Sequence, residues 1–311
     1  MDMFGGINPA VLIASLMVAS VPIMLAAIGE LVVEKAGVLN LGVEGMMIMG
    51  AVCGFVAAVK TGSPVLGFVG GALGAAALSL IFAFLTQMLL ANQVATGLAL
   101  TLFGLGLSSL IGQSYVGIKP PAMGRVAFGP LADIPGVGRI FFSHDPIVYL
   151  SVGLVAAVWA VLRYSRIGLI LRAVGENHEA AHALGYKVVR IRVLAIMFGG
   201  AMAGLGGAYV SLIRVPQWTD GITAGAGWIA LAIVVFASWK PWRVLIGAYL
   251  FGGITVLQLN LQAAGARIPV EYLSMSPYLI TILVLVVMSS GRGRATLNAP
   301  ASLGQNFHAA R

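Results

Sequence analysis

An all-α, polytopic membrane protein is the fold class this sequence predicts, and three observations point to it. The first is composition: 59% of the 311 residues are hydrophobic and 9% charged, with a mean hydropathy of +0.99. That leaves too little polar surface to cover a water-soluble domain of this length. The second is segmentation. A hydrocarbon layer about 30 Å thick takes roughly 20 apolar residues per helical span, and about nine segments qualify: 10–33, 38–59, 64–90, 94–115, 146–162, 191–213, 227–239, 244–262 and 277–290. The third is charge placement. The formal charge of +8 sits in short connections between apolar runs, where basic residues set orientation and do not recruit nucleic acid. The expected architecture is a bundle of about nine transmembrane helices occupying residues 1–290. Broken or re-entrant pieces are expected at the short seventh and ninth segments, and a short cytoplasmic helix in the loop 164–190.

The N-terminal stretch MDMFGGINPA has no basic region and no cleavage site behind it, so the first apolar run is read as a retained helix. Residues 29–49, GELVVEKAGVLNLGVEGMMIM, then crowd Glu30, Glu34, Lys35 and Glu44 into apolar sequence. A charge at membrane depth costs about 3 kcal/mol or more, so something must offset it. Glu30, Glu34 and Lys35 read as a headgroup boundary on the cytoplasmic side. Asn40 and Glu44 fall inside the next span and are candidates, with Gln93, for a polar translocation pathway.

Glycines four apart, at Gly67/Gly71, Gly70/Gly74 and Gly200/Gly204, place small residues on one helix face and predict close helix packing. None of these runs ends in the Gly-Lys-Ser/Thr of a phosphate-binding loop, so no nucleotide site is read on this chain. The connection 116–145, rich in Gly and Pro, is long enough to be a docking surface on the outer side. Trp218, Trp228, Trp239 and Trp242 lie near span ends and read as interfacial anchors. If the segment 171–192 is cytoplasmic, helix alternation puts twelve of the 18 basic residues inside, with the N-terminus outside and the C-terminus inside. Residues 291–311 lack apolar periodicity and read as a disordered cytoplasmic tail. Cys53 is the single cysteine, which rules out an intrachain disulfide.

The segment 171–192, LRAVGENHEAAHALGYKVVRIR, is where polar and helix-breaking residues displace the apolar background. Asn177 suits an N-cap, Glu179 lies where the helix dipole favours negative charge, and Gly185 suits a left-handed C-cap. His178-Glu179-Ala180-Ala181-His182 formally matches HExxH, a zinc-protease pattern. Gly175 and Gly185 confine it to about two turns and no third ligand follows, so no metal site is expected. Ala180 and Ala181 give a low-profile face able to lie in another protein's groove; an ordinary interfacial amphipathic helix fits the same residues.

Glu179-Ala180-Ala181 followed by Gly185 resembles the EAA-x-x-x-G signature of permease subunits of bacterial ABC importers. The surrounding RAVGENHEAAHALGYKV is similar to the family of ribose and branched-chain amino acid permeases. GELVVEKAGVLNLGVEGMMIMGA and ANQVATGLALTLFGLGLSSLIGQSYVG resemble its nucleoside branch, which works with basic-membrane-protein-type lipoproteins. The resemblance runs from about residue 21 to 265. It implies a permease in a bacterial inner membrane, paired with a second, related permease. A cytoplasmic ATPase would carry ATP and Mg, and a periplasmic or lipid-anchored binding protein would deliver nucleosides or related purine and pyrimidine compounds. It also implies that Asn177, Glu179, Ala180, Ala181 and Gly185 form an ATPase-docking coupling helix, that catalytic and metal residues are absent, and that no cofactor sits on this chain. Another small polar solute, such as a sugar, riboflavin or an amino acid, is the nearest alternative. An ion-coupled secondary transporter stands further off.

Overall fold

Helix α1, Pro9–Lys35, is 27 residues long and so about 40 Å. Its second half is buried almost all round, which makes it an interior helix of the bundle. The computed structural model describes residues 9–263 apart from 127, 135 and 136, then scattered positions between 272 and 286, and residues 299–308. Those residues form helices and connections, with no strand among them. In chain order the helices after α1 are α2 (Val43–Thr61), α3 (Pro64–Ala83), α4 (Gln93–Gly112), the short α5 (Val137–Phe141), α6 (Pro146–Tyr164) and α7 (Arg166–Glu176). They are followed by α8 (His178–Ala183), α9 (Val188–Tyr209), α10 (Ala226–Phe236) and α11 (Pro241–Ala263). Both α3 and α9 end in a wider turn, Phe84–Met88 and Val210–Arg214.

Helix starts follow local chemistry. Ser63 Oγ accepts from Leu66 N–H and Pro64 opens α3; Asn92 Oδ1 accepts from Ala95 N–H to open α4; Asp145 Oδ1 accepts from the Ile147 and Val148 N–H groups ahead of α6. Each side chain satisfies amides that have no partner within the first turn.

Seven of the described helices are long and apolar enough to cross a membrane: α1, α2, α3 with its wide turn, α4 with the turn after it, α6, α9 with its wide turn, and α11. They match the first six sequence segments and the eighth. The seventh, 227–239, is instead the 11-residue α10, about 16 Å long and half the hydrocarbon thickness. The ninth, 277–290, lies largely outside the described residues.

Helix α9 packs against α1, α2 and α3, and the predicted glycine seams are where it does so. A Cβ on Gly204 would strike the Gly71 carbonyl of α3, and one on Gly50 of α2 would strike the Gly204 backbone. Backbones this close gain dispersion contacts that lipid tails do not supply. Gly200 meets Ser79 in the same way, while Gly70 and Gly74 admit Ala57 and Cys53 of α2.

Two expectations change. Residues 299–308, expected to be a disordered tail, fold back on the bundle: Phe307 is 6% exposed and Ser302 4% exposed. The stretch carries little apolar periodicity because it is held by hydrogen bonds of its backbone and of Ser302 and Asn306, and by one aromatic side chain. Trp218 and Trp239, expected as interfacial anchors, are 1% and 6% exposed and belong to the packed interior. Trp242 is exposed, as an anchor would be.

Candidate functional site

The end of the bundle that carries α8 is built from residues far apart in sequence. The Asn177 side chain accepts from Ala180 N–H at 2.9 Å and so caps α8. The helix closes with Gly185 N–H donating to His182 O and Tyr186 N–H donating to Ala181 O. That pair of bonds needs a left-handed residue between them, and Gly185 has φ +89°. Asn177 and Gly185 therefore do locally what the sequence expects of them. Ala180 and Ala181 separate: Glu179, Ala180 and Leu184 are exposed, Leu184 by 77%, whereas Ala181 is buried at 2%. The low-profile face comes from Ala180 next to Leu184, and Ala181 is the root that seats the helix.

Underneath α8 a small apolar cluster joins Val174, Ala181, Val188 and Phe307. The Phe307 ring lies edge-on to both histidines of HEAAH, with centroids 5.4 Å from His178 and 5.2 Å from His182. Arg192, fully buried, donates to Ala36 O at 3.2 Å, to Gln305 O at 2.9 Å and to His178 Nδ1 at 3.2 Å. A guanidinium has only donors, so Nδ1 accepts and the His178 proton sits on Nε2. Burial pushes the His178 imidazole below its ordinary pKa, and the neighbouring Arg192 charge pushes the same way against the weaker pull of Glu179. His178 is thus committed to packing while His182 lies exposed with its ring against Phe307, and no group of three metal-ligating side chains occurs among the described residues.

The loop between α1 and α2 lies against this assembly. Leu39 N–H donates to Gln93 Oε1, and Gln93 Nε2 donates to Asn306 Oδ1. Asn40 donates from its backbone and its amide to the two carboxylate oxygens of Glu30, both at 3.3 Å, while its Oδ1 accepts from Gly42 N–H at 3.0 Å. Glu30 and Glu34, read from sequence as a solvated boundary, are 1% and 2% exposed. Glu34 accepts from the Trp239 indole N–H at 2.5 Å. Internal donors replace the water that the boundary reading assumed.

Glu44 has the most developed environment. Its Oε1 accepts from Thr223 Oγ1 at 2.5 Å and Gly225 N–H at 3.0 Å, and its Oε2 from Gly227 N–H at 2.6 Å. The carboxylate thus sits on the N-terminus of α10, where orphan amides and the helix dipole favour an anion. Its depth follows from α4. The adjacent Gly45 packs on Leu100 and Thr101 and faces Gly104, the middle of the span Gln93–Tyr115. At the other end of α10, Trp239 reaches Glu34, one residue short of the end of α1. Helix α10 therefore runs between the level of Glu44 and the α8-side end of α1, and its 11 residues are too few to cross a membrane. The connection from Arg214, which seats Trp218 against Gly112 near the far end of α4, runs inward from there to the start of α10 beside Glu44. Irregular backbone at that depth is tolerated where protein encloses it.

At the far end, a cavity of about 680 Å³ is lined by Ser15, Arg125, Ser143, His144, Asp145 and Arg214 among apolar residues of α1 and α11. The Tyr209 hydroxyl donates to the second Asp145 oxygen at 2.8 Å, which fixes the acid at the cavity wall. A second groove, about 560 Å³ between α6, α7 and α9, is apolar apart from Tyr186 and Lys187. Asn40, Glu44 and Gln93 line neither; all three are engaged within the chain. Sequence reasoning missed Arg192 and Phe307, whose roles depend on partners 14 to 156 positions away and leave no local pattern. Gly112 was the one available sign of the Trp218 seat.

A family model described as branched-chain amino acid transport system / permease component matches residues 12–288. The putative glucose ABC transporter permease protein TsgC13 of Haloferax volcanii is 40% identical, over 93% of this chain and 95% of its own. The nucleoside ABC transporter permease protein NupC of Lactococcus lactis is 31% identical over 96% of each chain. The guanosine ABC transporter permease protein NupQ of Bacillus subtilis is 32% identical over 89% of this chain and 91% of its own. Among solved structures, a putative metal-chelate type ABC transporter in an inward-facing conformation matches with a TM-score of 0.50 at 17% identity, covering 89% of this chain and 83% of that one. That last likeness concerns the fold.

Proposed function

The chain belongs to the branched-chain amino acid transport system permease family, and from that premise we propose that it carries nucleosides, or related purine and pyrimidine compounds, across a bacterial inner membrane. It is an integral membrane protein and the permease subunit of an ABC importer. Such a subunit works with an ATPase and a substrate-binding protein. In the proposed assembly a second, related permease completes the pathway, and ATP with Mg is bound and hydrolysed on the ATPase alone.

The observation that carries the mechanism is the capped α8, which presents Glu179, Ala180 and Leu184 outward from a rigid root. In the proposal this surface docks on the cytoplasmic ATPase, and Asn177 and Gly185 hold its geometry. Closure of the ATPase pulls α8, and the pull reaches α1, α4 and α9 through the contacts of Arg192 and Gln93. The far-end cavity receives solute from the binding protein. Its volume is within the range of small-molecule sites, roughly 300–1,000 Å³, and its hydroxyls and guanidiniums suit a hydroxylated, carbonyl-bearing solute. In this resting arrangement Asn40, Glu44 and Gln93 close the pathway and open to it only as the α1–α2 loop moves.

The identity to a putative glucose permease favours a second reading, in which the solute is a hexose. Vesicles containing the assembled importer separate the two. Labelled guanosine or uridine should accumulate, with unlabelled nucleosides competing and glucose at the same concentration failing to compete. Accumulation of glucose with no competition from nucleosides would overturn the nucleoside reading in favour of the hexose.

A further inference from the structure

We infer that residues 299–308 are a positioning strap for the coupling helix, so that the surface offered to the ATPase is set by this segment as well as by α8 itself. The inference rests on the docking role proposed above for α8. Its basis is the number of independent elements that the strap ties together in ten residues.

Helix α8 is only six residues long, too short to hold its own conformation in water. Its caps fix its ends but not its position on the bundle. Position comes from below. Ser302 N–H donates to Gly175 O at 2.9 Å and Ser302 Oγ to Glu176 O at 3.2 Å, which pins the end of α7 where α8 begins. Gly304 N–H donates to Gly37 O at 3.2 Å, in the loop between α1 and α2. Gln305 O receives Arg192 from α9. The Asn306 side chain donates to Leu90 O at 2.7 Å and accepts from Gln93, the first residue of α4. Phe307 then fills the space beneath His178, Ala181 and His182. One segment therefore links α8 to α1, α4, α7 and α9, the helices through which a pull on α8 would travel.

The chemistry also explains the histidines of HEAAH. An edge-on aromatic ring is held by two imidazoles, and Arg192 locks the tautomer of one of them. Remove Phe307 and α8 keeps its caps but loses its seat, so motion of the ATPase is absorbed locally and does not reach the spans.

The test uses the assembled importer in vesicles and reads solute imported per ATP hydrolysed, together with hydrogen exchange of the α8 amides. Phe307→Ala should lower the import ratio and speed exchange at Ala181, Leu184 and Tyr186, each on the order of tenfold, with half-saturating solute concentration unchanged. Phe307→Leu, which keeps the apolar contact with Ala181 and Val188, should recover most of the ratio. Asn306→Ala removes an anchor outside the apolar cluster and carries the test if Phe307→Ala does not assemble: it should raise α8 exchange and lower the ratio in the same direction. Unchanged exchange and ratio in the assembled Phe307→Ala, or in Asn306→Ala where it does not assemble, with Gly185→Leu uncoupled, would overturn the strap. An unchanged ratio in Gly185→Leu as well would overturn the docking role on which it rests.

Discussion

Single residues here answer a general problem, which is how to hold charge where water is scarce. Glu44 accepts three hydrogen bonds, two of them from the opening amides of α10. Charge-assisted bonds of this kind contribute about 1.5–3 kcal/mol each when a partner is removed. Glu44→Gln keeps the shape but turns an NH2 group toward an N–H, and should destabilise the solubilised protein by about 2 kcal/mol in a denaturation assay. Stability equal to the parent would show that the α10 terminus does not depend on the carboxylate. His178 offers a pH test. Its depressed pKa means the unfolded chain takes up a proton before the folded one does. The stability it contributes is therefore present in full above the ordinary histidine value of about 6.5 and is lost as pH falls below it. Protonation would set a cation against Arg192 beside Phe307 and His182. Protection of the α8 amides, taken relative to the intrinsic exchange rate at each pH, should fall between neutral pH and about pH 5, and His178→Asn should flatten that dependence. At this scale the sequence was half readable. Asn177 and Gly185 act through near neighbours, so their types suffice. Glu44 and Asn40 stood out as misplaced polar groups, but Thr223, Gly225 and Glu30, which satisfy them, are brought near only by folding.

Elements divide in the same way. Spans of about 20 apolar residues are legible because one helix alone must satisfy its backbone in lipid. Helix α10 is legible in part: its short 227–239 window predicts a broken or re-entrant piece, and the helix runs for 11 residues. What the sequence does not show is the Glu44 cap at its start, which lies 183 positions from Gly227. The glycine seams were legible as spacing, and the structure supplies the partner helices. A side chain at Gly204 would force α9 off α3, so Gly204→Val should cost about 1–3 kcal/mol or more from overpacking and lower the folded fraction on size-exclusion chromatography in detergent. Gly106→Ala, where a Cβ meets open space, should leave that fraction unchanged. For α8 the expectation concerns function. Gly185→Leu sets a branched side chain at φ +89°, which costs about 1–2 kcal/mol. Glu179→Lys reverses the charge on the exposed face. Both should uncouple ATP hydrolysis from uptake while the bundle still elutes as the parent does. Normal uptake in both would remove α8 from the mechanism.

Across the whole molecule, the two ends are chemically different. One carries α8, the strap, the loop between α1 and α2, and Arg192. The other carries a polar cavity with Arg125 and Arg214. Composition already told that the chain lives in lipid, and the HEAAH segment told where it leaves lipid. The strap was not legible, because Ser302, Asn306 and Phe307 find their partners on α7, α4 and α8, far away in sequence. In the proposed assembly the energy comes from ATP on the partner ATPase, so the chain should move nothing by itself. The direct measurement is nucleoside uptake into vesicles holding the chain with the proposed second permease, an ATPase and a binding protein, compared with vesicles holding the chain alone under an imposed ion gradient. Uptake that needs ATP on the ATPase side, with none in the gradient-driven vesicles, is the expected result. Gradient-driven uptake by the chain alone would contradict it.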